Sequence, residues 1–328
     1  MMLLDGIRAV VLADHLADFG GSMLARLGAE VVLAGAAPLT ASREKAWHKG
    51  MTRSDAPLAE LLGEADILLD DRRSGPRDDV DALAATHGDL VHVVITGFPD
   101  DPRPVTDLTL MAQSGLMHVT GTPDRPPLRL PGEQAYALTA IQAATAALMG
   151  LRARRQTGEG QRITLSALQA AALANYREAV MYEHTGRIGT RRGNMLVRGK
   201  SGVRQVWPCA DGFVTWSMID NPGMMRALVR VMQAEGAAGE LAEIDWDAIL
   251  VADTEQETIE RWQSIVEAFF ARHDRKTLGD WSLEHGWGLS PIIRLSEVPH
   301  SPQMQARGVF GPDGVPGPLF AVHPGRGT

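Results

Sequence analysis

The chain has 328 residues, beyond the roughly 100 to 200 of a usual single domain, so one large domain with a smaller companion is expected. Its 45% hydrophobic and 22% charged residues suit a folded globular protein, and a net charge of −8 argues against nucleic-acid or anionic-membrane partners, which select basic surfaces. No apolar run approaches the roughly 18 residues of a membrane span, and Met1-Met2-Leu3-Leu4 lacks the regions of a signal peptide, so a cytoplasmic protein is expected.

From the N-terminus, residues 7–12 form a β-branched run, 20–27 read as helix, 31–34 as a run again, 56–63 as helix, 67–69 as a run, and 79–86 as helix. Residues 91–96 close the series. Such alternation with apolar strands predicts a parallel sheet covered by helices. Ligands of such sheets bind beyond the carboxyl ends of the strands, here residues 13–21, 35–37, 70–75 and 97–101.

Residues 131–166 carry the most distinctive pattern. Pro131-Gly132 opens a helix filled at every phase by Ala, Leu, Ile, Thr and Met, which predicts burial between layers. Arg152, Arg154 and Arg155 complement its negative end, and Gly158 and Gly160 stop it. A further helix is expected over 167–184, then a Gly/Arg-rich stretch over 185–202 whose Arg187, Arg191, Arg192, Arg198 and Lys200 suit either counter-ions for phosphates or a solvated connector.

Residues 205–278 read as a smaller α+β unit, with two strands around Asp211-Gly212 and helices over 221–235 and 254–272. A helix over 277–286 and a strand over 289–295 leading back to the large domain follow, and the Gly/Pro-rich residues 311–328 suggest an extended wrap or frayed end. The expected division is therefore 1–200 with 289–328 as the large domain and 205–288 as the small one. Cys209 is the only cysteine, so no intrachain disulfide or thiolate metal site can form, and no metal is expected.

The loop ADHLADFGGS after the first run has no G-x-G-x-x-G, and Ala34-Gly35-Ala36 stands where an acidic residue would hold a dinucleotide ribose. There is also no H-E-x-x-H, G-x-S-x-G or P-loop. The ordered sum of motifs points elsewhere. Asp5-Gly6-Ile7, Leu27-Gly28-Ala29-Glu30-Val31, Ala65-Asp66-Ile67-Leu68-Leu69, Ile95-Thr96-Gly97-Phe98, residues 107–121, the Ala-rich helix with R-x-x-TG-x-GQ, Arg192-Gly193-Asn194, residues 209–212 and residues 302–308 together resemble the class III CoA-transferases. That family includes carnitine and formyl-CoA transferases and the alpha-methylacyl-CoA racemases.

The resemblance implies a Rossmann-like α/β large domain with a smaller α+β domain and two interlocked subunits, as a homodimer or as a heterodimer with a homologous subunit. It implies transfer of CoA between an acyl-CoA and a carboxylic acid, with CoA thioesters as substrates and no permanently bound cofactor. It would bring His15, Leu16 and Ala17 near CoA, and Asp71 and Arg72 near its nucleotide part. Family members use an Asp nucleophile at the entrance of the central helix, because acyl derivatives of a carboxylate stay reactive toward thiolate and carboxylate alike.

Counting back from Thr157-Gly158 puts that Asp at Tyr136, or at Ala135 with a shift of one, and neither can form the intermediate. Glu133 is the nearest carboxylate, a candidate nucleophile or a helix-start charge. Gln134 and Tyr136 are candidates for hydrogen bonding to the acyl group. A racemase is not expected, because its His base would precede the DL pair, where Thr106 stands before Asp107. Asp107 itself is expected to cap or orient the helix that follows it. Two functions follow: a transferase using Glu133 or an unrecognised group as nucleophile, or a nucleophile-less CoA-ester-binding subunit paired with a complete homologue.

Overall fold

The computed structural model describes residues 2–35 and 37–317. They fall into two compact units, one comprising the described residues of Met1–Thr120, Pro127–Thr190 and Pro299–Thr328, the other Gly121–Pro126 and Arg191–Val298.

The first unit is built on a six-stranded sheet. Its elements run β1 (Arg8–Leu12), α1 (Asp18–Arg26), β2 (Glu30–Ala34), α2 (Ala41–Trp47), β3 (Met51–Ser54), α3 (Leu58–Leu62), β4 (Ile67–Arg72), α4 (Asp78–Ala84) and β5 (Val91–Thr96). Then come α5 (Asp107–Gln113), α6 (Gln134–Thr157), β6 (Gln161–Ser166), α7 (Ala167–Leu173) and α8 (Tyr176–Thr185). The strand order is β3-β2-β1-β4-β5-β6 and every pairing is parallel. Alternate residues face opposite layers: Ala9, Val11, Ile67 and Leu69 pack on the α1 and α6 side, and Val10, Leu12 and Leu68 on the α3 and α4 side. Because the chain winds from β1 outward to β3 and then returns to β4 on the other flank of β1, the winding reverses between β1 and β4, the place where sheets of this kind open a crevice.

Several elements differ from the expectation. The short β3 and the helix α2 fill residues between 38 and 55 to which the sequence pattern assigns no element, and the amphipathic β6 joins the sheet at its edge. The expected helix over 167–184 is two helices, broken at Ala174 and Asn175. One side of α6 is buried through Ala135, Tyr136, Thr139, Ala140, Ala143, Ala147 and Gly150, but Ile141 and Met149 are exposed at 48% and 66%, so within this unit the helix lies on the sheet rather than between two layers.

The TGEGQ turn has a steric explanation. Gly158 ends α6 in the left-handed region at φ 77°, donating its N–H to Arg154 O at 2.8 Å. A Cβ on Gly160 would lie 2.7 Å from both Asp89 C and Leu90 N, so only glycine lets β6 start against the turn that enters β5.

In the second unit, β7 (Met195–Arg198) and β8 (Ser201–Arg204) form a hairpin, followed by β9 (Val206–Cys209), β10 (Gly212–Thr215), α9 (Pro222–Ala234), α10 (Gln256–Phe270), α11 (Arg275–His285) and β11 (Ser290–Pro291). Trp207, Trp216, Phe270 and Trp287 centre its core, and Trp207 Nε1 donates to Trp216 O at 2.7 Å. Apart from Gly121–Pro126, this unit spans Arg191–Val298, wider than the expected 205–288. The strand expected over 289–295 is only β11, which pairs antiparallel with β10 here rather than joining the large sheet. A final helix, α12 (Pro302–Ala306), belongs to the first unit, and the expected terminal wrap over 311–328 lies outside the described residues from 318 onward.

Candidate functional site at the sheet crevice

Three segments meet at the carboxyl ends of β1 and β4: the loop of residues 13–17, the end of β4, and the entrance of α6. Asp71 organises the first. It is fully buried, and its Oδ2 accepts the backbone N–H groups of Asp14 (2.9 Å), Leu16 (2.5 Å) and Ala17 (3.0 Å), while Oδ1 accepts that of Arg73 (2.9 Å). These bonds flank His15 and hold it in the left-handed region at φ 83°, where non-glycine residues are uncommon. Burial pushes the Asp71 carboxyl up to about 7, with the four N–H groups pulling the other way.

Arg73 locks the same loop from outside. Its Nη2 meets Asp14 Oδ1 at 2.7 Å and its Nε donates to Asp14 O at 2.6 Å, and Ser74 Oγ donates to Asp14 Oδ2. Beyond it lies Tyr136, whose phenol is pushed above its ordinary value by burial and pulled down by the Arg73 guanidinium. Its ring stacks on His15 at 6.5 Å and meets Trp47 edge-on at 6.5 Å. Asp107, itself buried, accepts the backbone N–H of Tyr136 at 3.2 Å, while Thr106 caps α5 in a box with Thr109. Asp107 therefore positions the start of α6, and the capping of α5, one of the two roles expected of it, falls to Thr106 instead.

Glu133 stands at the N-cap of α6 without a capping bond, ion-paired with Arg43, whose guanidinium lies 4.5 Å from the Trp47 ring centroid. Gln134 is exposed and donates to Pro131 O at 2.8 Å. The crevice thus gathers His15, Glu133, Gln134 and Tyr136, whereas the side chains of Leu16 and Ala17 are completely buried and Asp71 is committed to the loop backbone.

Arg72 points to the opposite face of the sheet from Asp71. Its guanidinium pairs with Asp70 at 2.8 Å and Asp81 at 2.7 Å, and Arg162 joins Asp81 at 3.1 Å, holding the Asp81 carboxyl at about 2. Asp70, Asp81 and His92 converge closely enough to outline a metal triad, yet the guanidinium of Arg72 already occupies the space between the two carboxylates. Arg72 also lines a cleft of ≈ 310 Å³ beyond the ends of β4, β5 and β6, with Gly75, Phe98, Asp101, Ser166 and Gln169 on its walls.

Arg43, Trp47 and Arg73 escaped the sequence reading. The first two lie on α2, whose polar sequence gives little helical periodicity. Arg73 adjoins a predicted residue, and its role depends on β4 running on to Arg72. Among the cationic candidates of 185–202, Arg187 is exposed, Lys200 pairs with Glu255 at 3.5 Å, Arg191 donates to Thr122 O at 3.3 Å, and the Arg198 side chain lies outside what is described. Burial raises the Cys209 thiol, as suits a structural cysteine. No helix among the described residues is long and apolar enough to cross a membrane.

Comparison with known proteins supplies context for this geometry. Residues 52–320 match the model of CoA-transferase family III. The chain is 31% identical over 186 residues to subunit BbsE of succinyl-CoA:(R)-benzylsuccinate CoA-transferase from Thauera aromatica, an alignment covering 54% of this chain and 44% of that subunit. It is 27% identical to succinate–glutarate CoA-transferase from Agrobacterium fabrum, over 93% of this chain and 84% of the relative. In fold it matches a CAIB/BAIF family protein from Brucella suis with a TM-score of 0.82 at 24% identity, covering 99% of this chain and 93% of that one.

Proposed function

This chain belongs to CoA-transferase family III, and we propose that it binds an acyl-CoA at the β1–β4 crevice and serves transfer of CoA between that thioester and a carboxylic acid. The observation that carries this reading is the meeting of the strained His15 loop with the entrance of α6 where the sheet reverses its winding. CoA thioesters are substrates in this scheme, and no cofactor is held permanently. The thioester end lies at Tyr136 and His15, within reach of Glu133 and Gln134. The nucleotide end lies along the cleft that Arg72 lines, with Asp71, Leu16 and Ala17 shaping the loop beneath. The names of the relatives favour succinyl-CoA as donor and a small carboxylic acid as acceptor.

A second reading has a specific observation in its favour: Tyr136 stands at the counted nucleophile position, and Glu133 is engaged by Arg43. In that reading the chain is an acyl-CoA-binding subunit that pairs with a homologue carrying the nucleophile. The exposed apolar residues Ile141 and Met149 of α6 and Leu173, Tyr176 and Val180 of α7 and α8 suit a subunit contact in either case. A cytoplasmic location accords with acyl-CoA as substrate.

Calorimetric titration with CoA and succinyl-CoA tests binding, and Glu133→Gln separates the two readings. With Glu133 as nucleophile, the wild type gains a borohydride-sensitive CoA adduct by mass spectrometry, and the variant loses adduct and turnover together. Binding without any adduct in the wild type favours the subunit reading, and absence of binding overturns both.

A further inference from the structure

Next to Tyr136 stands a group that transfer chemistry leaves unused. Asp18, 1% exposed, opens α1, and its Oδ1 pairs with the buried His48 Nε2, whose Nδ1 lies 3.4 Å from Arg53 Nη2. The second Asp18 oxygen, Oδ2, is buried without a hydrogen-bond partner, and the buried Nδ1 of His15 faces it at 3.9 Å, likewise unpartnered. The His15 ring stacks on Tyr136 and its side chain stays 16% exposed. A partly exposed histidine with a buried carboxylate facing one ring nitrogen approaches the arrangement of a general base and its orienting group, and strained backbone of the kind found at His15 is concentrated at functional sites.

We propose that His15, oriented by Asp18, is a general base that directs water onto the bound thioester, giving the chain an acyl-CoA hydrolase activity. The inference rests on acyl-CoA binding at the crevice. His15 Nε2 takes a proton from water as its oxygen bonds to the thioester carbonyl carbon. The tetrahedral adduct then breaks its carbon–sulfur bond, and the imidazolium returns the proton to the leaving thiolate. Acyl-CoA and water thus yield a carboxylic acid and CoA. As the imidazolium forms, its attraction to Asp18 Oδ2 grows, so the pair stabilises the transition state more than the resting enzyme.

The groups facing His15 are Asp14 and Asp18 from its own loop and helix, Arg73 from the end of β4, Arg43 from α2 and Tyr136 from α6. Their net effect, led by burial, lowers the imidazole below its ordinary value and leaves it neutral, and therefore basic, at pH 7.

The test measures thiol release from succinyl-CoA by the full chain without acceptor acid, against the buffer rate, together with calorimetric affinity for succinyl-CoA. His15→Asn suits the left-handed backbone, and Asp18→Asn provides a second variant with the carboxylate gone. Wild type should release thiol above the buffer rate, with kcat falling at acidic pH as His15 protonates. His15→Asn should lose about 100-fold or more in kcat with KM little changed and no acid limb remaining, and Asp18→Asn should lose kcat in the same direction. A wild type that binds succinyl-CoA without hydrolysing it, or a His15→Asn variant that keeps the wild-type kcat, overturns this inference alone. Failure to bind overturns it together with the proposed function.

Discussion

Replacing Asp71 by asparagine removes the buried titrating group that ties down the loop carrying His15, and the effect on stability can be worked out in sign and size. The wild-type carboxyl titrates at about 7 in the folded protein and at 3.8 in an ordinary setting, so between these values the native state holds a proton that the unfolded chain has lost. Stability from this group is fully present below the lower value and is lost as pH rises through the upper one, at ~1.36 kcal/mol per pH unit. From pH 5 to pH 8 the loss is roughly 2.5 kcal/mol. Groups common to both proteins cancel when wild type and variant are compared, which leaves the Asp71 contribution. Urea unfolding at the two pH values should therefore show the wild type gaining on Asp71→Asn by about 2 to 3 kcal/mol at pH 5 relative to pH 8. A difference independent of pH, or one favouring the wild type at pH 8, would mean that the four N–H donors hold the anion more strongly than burial opposes it, and the reasoning would be refuted.

Two other substitutions probe the scaffold and the chemistry. Gly160→Ala should lower stability by about 1–3 kcal/mol through collision with the backbone at residues 89 and 90; an unchanged urea midpoint would show that this turn can yield. Tyr136→Asp should place a carboxylate beside Arg73 at the mouth of α6 and allow a borohydride-sensitive CoA thioester to form with succinyl-CoA. A variant that binds succinyl-CoA by calorimetry yet gains no adduct mass would locate the reactive centre away from this position.

The alternation of residues 7–12, 31–34, 67–69 and 91–96 with helical stretches determined the parallel sheet, because strands buried on both faces must be continuously apolar. The TGEGQ turn likewise marked the end of α6 through its glycines, although only the tertiary structure reveals that Gly160 is pressed against residues 89 and 90. Local pattern did not disclose α2, β3 or the phase of β4 at its end, and the last of these decides that Asp71 faces the α6 entrance while Arg72 faces Asp81. Nor could it disclose that Asp107 caps a helix 29 residues away, or that Asp18 lies between His15 and His48. Periodicity reports the burial that each segment needs, so layers and strand positions are written along the chain. Pairings among polar groups in the crevice depend on how separate segments converge in space, and they exist only once the sheet has brought β1, β4 and α6 together.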